Sequence, residues 1–125
     1  MKEADKRLLE FGKQTKSFFE SKGYGCSVMR PWNNEYEISL KKAGDFYLVQ
    51  AEIKNILTQL GFEHIERPSY WEETSYNNFH SIYVNLKESI GCNVDEERHY
   101  IAMYSEFSGF DEKNRKKHKE GANNL

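Results

Sequence analysis

Two carboxylates beside a lysine can hold a divalent cation and orient water for hydrolysis, and this chain of 125 residues contains one set of that kind. Glu52-Ile53-Lys54 supplies an acid and a lysine, with Glu37 or Asp45 as the upstream carboxylate. The other chemistry-bearing residues are dispersed. His64, His80, His99 and His118 show no HxxxH, HExxH or CxxC spacing, so neither a metal site nor a cofactor is expected. His80 and His99 fall on segments that the pattern makes strands, and would be neighbours if those strands pair. Cys92 with either of them could form a nucleophilic pair, yet nothing in the sequence activates the thiol or orients the base. No GxxxxGK[ST] or GxGxxG is present to cradle phosphate.

An acidic residue followed by ExK resembles the pattern of PD-(D/E)xK nucleases, in which two carboxylates hold Mg²⁺ beside a lysine. The resemblance implies a metal-dependent nuclease with Glu37, Glu52 and Lys54 as its working set. That motif needs ExK on a strand, whereas here it lies inside a strongly amphipathic segment with helical period, and no Pro-Asp pair precedes it. On an outer helix face the same Glu and Lys are simply solvated.

Aromatic residues suggest binding instead. Tyr36, Tyr83, Tyr100 and Tyr104 lie on predicted strands and could stack bases, but the strands near Tyr83 and Tyr100 bring only Lys87 and Arg98 as basic company. Nucleic acid is therefore the less favoured partner. Residues 68–76 combine Tyr70, Trp71 and Tyr76 with Glu72 and Glu73. Tyr and Trp are common interface anchors, and flanking acids steer a basic partner toward them. These five residues are the expected partner-binding set; with no partner, the same aromatics would fold back over the sheet.

Composition narrows the class. Aromatics reach 14% and charged residues 30%, which suits a globular body and not a disordered chain. The net charge of −2 is unevenly spread, with 9 acidic against 3 basic residues between positions 61 and 110, and 5 basic against 3 acidic between 111 and 125. An acidic half argues against a broad duplex-binding surface. Two cysteines far apart form no disulfide framework, so a reducing cytoplasm is the expected home. The first residues lack an apolar core for secretion, and no apolar run reaches the ~18 residues of a membrane span.

These residues must be positioned by a small set of elements. In residues 45–61, Phe46, Val49, Ile53, Ile56, Leu57 and Leu60 recur at steps of three and four, with Asp45 at the N-cap place and Gly61 at the C-cap place. A first helix spans residues 2–22, with Ala4, Leu8, Phe11, Thr15, Phe18 and Phe19 on one stripe, ended by Gly23 and Gly25. Tyr24, Cys26 and Val28 alternate, then Tyr36, Ile38 and Leu40, around a five-residue turn at 30–34: a hairpin. Residues 62–66, 79–87 and 98–107 are further strands, the last apolar on both faces and thus central. Residues 67–78 are a loop, 88–97 a polar connection, and 111–125 a basic tail.

The expected fold is a single α+β domain over residues 1–110, two helices on one face of a mainly antiparallel four- or five-stranded sheet in the order α-β-β-α-β-β-β. The other face would carry Tyr, His and charged side chains. Scarce proline and abundant Lys, Asn, Tyr, Glu and Ile match AT-rich coding, as in phages and mobile elements. The expected function is a non-enzymatic protein-binding module, an inhibitor whose acidic aromatic surface mimics nucleic acid toward a basic host protein. An exposed sheet edge also leaves room for self-association.

Overall fold

The computed structural model describes residues 2–65 and 80–105. Helix α1 is Glu3–Ser21, followed by strands β1 (Gly25–Met29) and β2 (Glu35–Lys41), helix α2 (Phe46–Gln59), and strands β3 (Glu63–Ile65), β4 (His80–Asn85), β5 (Ile90–Asp95) and β6 (Tyr100–Tyr104). The strands form one sheet in the order β1-β2-β6-β5-β4-β3, with every neighbouring pair antiparallel. Neither helix is long and apolar enough to cross a membrane.

Both helices end as their glycines require. After α1, the Gly23 amide bonds Glu20 O and the Tyr24 amide bonds Phe19 O, both at 3.0–3.1 Å. After α2, the Gly61 amide bonds Thr58 O and the Phe62 amide bonds Leu57 O, both at 3.0 Å. Each is a Schellman motif, whose C′ residue needs positive φ; Gly23 and Gly61 have φ of 91° and 96°.

Tyr36, Ile38 and Leu40 of β2, Ile101 and Met103 of β6, Ile90, Cys92 and Val94 of β5, and Tyr83 of β4 form one core with Leu8, Phe11 and Phe19 of α1 and Val49, Ile53, Ile56 and Leu57 of α2. Two-residue alternation on the strands and three-to-four spacing on the helices therefore meet on one face of the sheet. Each fully buried Leu, Ile or Phe here is worth about 1.5–3 kcal/mol of transfer free energy.

Among the described residues the sheet has six strands, one more than the largest number expected. The additional strand is β5, inside residues 88–97, where the sequence predicts a polar connection. Its Ile90, Cys92 and Val94 alternate with Gly91, Asn93 and Asp95, residue types that strands usually lack. All six residues are nonetheless buried, because β4 and β6 flank the strand on both sides. The opposite face of the sheet is also less polar than expected. Glu35, Glu37, Tyr100 and Tyr104 occupy it over β2 and β6, but Ile65, Ile82 and Val84 form a separate buried apolar cluster over β3 and β4.

The two loops flanking β5 share one device. Residues 86–89 and 96–99 each close a hairpin with a last residue at positive φ, 56° at Ser89 and 52° at His99. In each, the residue before the loop caps it. Asn85 Oδ1 accepts the Glu88 amide at 3.0 Å, and Asp95 Oδ1 accepts those of Glu97 and Arg98 at 3.1 Å. Such Asx caps mimic a backbone turn and fix the loop.

Candidate protein-binding surface

Four consecutive apolar residues, Phe46-Tyr47-Leu48-Val49, open α2. A helix turns about 100° per residue, so four in a row cannot all face one core. Val49 is taken by the core at 6% exposure, which leaves Tyr47 at 75%, Leu48 at 72% and Phe46 at 40%. The helix start is locked in this orientation. Asp45 Oδ1 accepts the amides of Tyr47 at 3.0 Å and Leu48 at 3.2 Å, satisfying two donors that the first turn leaves free.

The β5–β6 loop supports this turn from beside it. The His99 ring stacks on Phe46 at 4.7 Å between centroids, and the Tyr47 ring meets Phe46 edge-on at 5.3 Å. His99 O accepts the Leu40 amide at 2.9 Å, tying the loop to the sheet. Glu96 accepts hydrogen bonds from Gln50 Nε2 of α2 and from Ser81 Oγ of β4. A preset aromatic and aliphatic patch thus has two acids against it, Asp45 at the cap and Glu96 bonded to Gln50 one turn on, and Glu97 follows in the same loop as Glu96. Arg98, in the same loop, has a side chain that is 83% exposed and lies 4.0 Å from Asp95.

Sequence reasoning missed this patch, and placed Phe46 in the core stripe. The signal was present in the run of four apolar residues at a helix start, where a pattern meant only for burial would alternate with polar residues. Tyr70, Trp71, Glu72, Glu73 and Tyr76 lie outside the described residues, as does the basic tail.

The proposed nuclease set is not brought together. Glu52 and Lys54 lie within α2, while Glu37 projects from β2 on the face away from the helices. The Glu52 carboxylate accepts a hydrogen bond from Lys42 Nζ at 2.7 Å, and Lys42 also bonds Lys22 O at 3.0 Å and lies 4.8 Å above the Tyr24 ring. Lys42 first, then the nearby Tyr24 hydroxyl, holds the Glu52 carboxyl below the usual range. That hydroxyl falls short of full hydrogen-bond geometry to any acceptor, so its influence on Glu52 is that of an adjacent dipole. The cluster is a latch that ties the ends of α1 and β2 to the middle of α2. Among the described residues no three His, Cys, Asp or Glu side chains converge as metal ligands.

The remaining candidates separate likewise. His80 pairs with Asp95 across β4 and β5, and His99 lies in a loop, so the two histidines are not strand neighbours. Cys92 is wholly buried on the helix face, and burial pushes its thiol far above the ordinary value, which removes the thiolate a nucleophile needs. The four tyrosines divide by strand parity. Tyr36 and Tyr83 are buried under the helices, and Tyr100 and Tyr104 are half-buried on the opposite face, so they make no single stacking platform.

Those tyrosines do set a pH limit. Burial, the largest cause in each case, raises the phenols of Tyr24, Tyr36, Tyr83 and Tyr100 and the thiols of Cys26 and Cys92; Glu37 adds to the shift at Tyr100 and Glu96 at Tyr83. The folded state thus holds these protons more tightly than the unfolded chain. Their contribution is fully present below the unfolded values of about 8.5 for thiol and 10 for phenol, and is lost as pH rises through the folded ones. Tm should be flat from about pH 7 to 8 and fall steeply above about pH 10, with the 295 nm absorbance of buried tyrosinate appearing only on unfolding. Ionisation of Tyr24, Tyr36, Tyr83 and Tyr100 at the free-phenol value with unchanged Tm would refute this.

Comparison with protein-family models, with curated proteins and with solved structures finds no match.

Proposed function

We propose that this domain is a small non-enzymatic binding module that presents an acid-rimmed aromatic surface to a protein partner with a basic surface. The class that fits is the inhibitor that phages and mobile elements direct at nucleic-acid-binding host proteins. The observation that carries the reading is the exposure of Phe46, Tyr47 and Leu48 on a capped helix start, with the acids Asp45 and Glu96 held against the same helix. Large exposed apolar side chains held rigid lose little conformational entropy on binding and act as anchors. The surrounding acids set the encounter rate and the sign of charge accepted. Tyr70, Trp71, Glu72, Glu73 and Tyr76 extend the proposal on composition alone.

The test is affinity capture from nuclease-treated bacterial lysate, followed by titration of the captured protein with wild type, Tyr47→Ala, Leu48→Asp and the Glu72→Lys/Glu73→Lys pair. Loss of a central anchor typically costs 2 kcal/mol or more, so Tyr47→Ala and Leu48→Asp should each weaken binding about tenfold or further. Wild-type affinity should fall with salt, and the charge-reversed pair should flatten that dependence. A partner held equally well by all four proteins would refute the reading. Loss only in the charge-reversed pair would move the site to residues 70–76.

A further inference from the structure

Sheets ordinarily protect their edges with charge, proline, a bulge or shortness. The two edges of this sheet differ in that respect. β3 is three residues long and carries Glu63 and His64. β1 is five residues long, pairs without interruption along β2, and holds neither a charge nor a proline in Gly25-Cys26-Ser27-Val28-Met29. Among the described residues β2 is its one strand partner. Gly25, Ser27, Val28 and Met29 are exposed, Met29 at 56%, and Trp32 just beyond is 67% exposed. One row of backbone amides and carbonyls therefore faces outward along an uncharged strand.

We propose that β1 pairs with β1 of a second copy of this chain, antiparallel about a two-fold axis at Ser27, so that two six-stranded sheets become one. The residue pattern is what selects a second copy. Turning the strand about Ser27 sets Cys26 opposite the partner's Val28, apolar against apolar, on the face toward the helices. It sets Gly25 opposite the partner's Met29 on the other face, small against large, and Ser27 opposite its own equivalent. No like charges meet, whereas a self-pairing of β3 would bring Glu63 close to another Glu63. A two-fold contact of this kind is closed, so it gives dimers and not fibres. Five residues on each side bury less than the ~1,200 Å² of a standard interface, so the pairing is of the weak, reversible kind.

Sedimentation velocity of the full chain from 10 µM to 1 mM reads this directly. Wild type should move from monomer to dimer across that range. Ser27→Lys, which sets two lysines against each other at an already exposed position, should stay monomeric with an unchanged circular-dichroism spectrum. Ser27→Cys in a Cys26→Ser background should form an interchain disulfide on mild oxidation, since directly opposed strand residues lie about 4.5–5.5 Å apart between Cα atoms. Leu48→Asp should leave the dimer intact. A wild type monomeric at 1 mM, or a dimer that survives Ser27→Lys, would overturn the proposal. So would a dimer lost in Leu48→Asp, which would assign self-association to the start of α2.

Discussion

Gly12→Val should destabilise the domain by about 3 kcal/mol and Gly12→Ala by about 1–2 kcal/mol, although helix propensity alone predicts that alanine gains about 1 kcal/mol over glycine. The reason is the close approach of α1 to β2. A Cβ on Gly12 would stand 2.5 Å from Tyr36 Cγ and 2.6 Å from both Cδ atoms. Tyr36 is itself 3% exposed, so the ring has no free direction in which to move. Glycine at this point lets the helix lie directly on the face of the ring. Urea denaturation of the three proteins gives the values, and a Gly12→Ala variant as stable as wild type would show that the helix can slide without loss. Tyr36→Leu combined with Gly12→Ala should recover part of the cost, since the clash is pairwise.

Ser105→Ala should cost about 2 kcal/mol. Ser105 Oγ donates to Asp5 Oδ1 at 2.7 Å, and the two residues are 9% and 6% exposed, so the substitution leaves a buried carboxylate without that donor. Removing one partner of a buried charged hydrogen bond costs more than the bond's net worth, because the abandoned group remains desolvated. Asp5→Ala in the same background should then cost little more, giving a double-mutant coupling of about 1–2 kcal/mol. Strictly additive losses in a denaturation series would show that the two groups do not depend on each other.

Much of the architecture was legible because local chemistry and tertiary demand agreed. Asp45 and Gly61 bracket α2 as caps, the alternation of Tyr36, Ile38 and Leu40 points to the core, and the turn at 30–34 joins two strands. β5 was hidden because Gly91, Asn93 and Asp95 are turn-forming types locally, and only flanking strands on both sides make them a ladder. The disfavoured tyrosine platform fails for a related reason: residue type says nothing of strand parity, and one residue of offset sends Tyr36 under α1 while Glu37 faces the other way. The exposed start of α2 was overlooked because Phe46 satisfied the helical period, and period alone does not reveal where the sheet beneath ends. Glu52 and Lys54 carried a motif's letters without its strand, and their helix was evident from the sequence.

The strand order has a consequence for how this chain is made. β6 follows the other five described strands in the chain, yet it sits between β2 and β5, with Glu35 opposite Tyr104 and Asp95 opposite Tyr100. A ribosome that has not yet released β6 therefore holds two unfinished pieces: α1 with the β1–β2 hairpin, and α2 with β3, β4 and β5. Each exposes an inner edge that the finished molecule conceals. Pairing across some 70 residues closes an entropically costly loop and makes this late step slow. During that interval the inner edges of β2 and β5, which β6 later covers, are the surfaces a nascent-chain chaperone would meet.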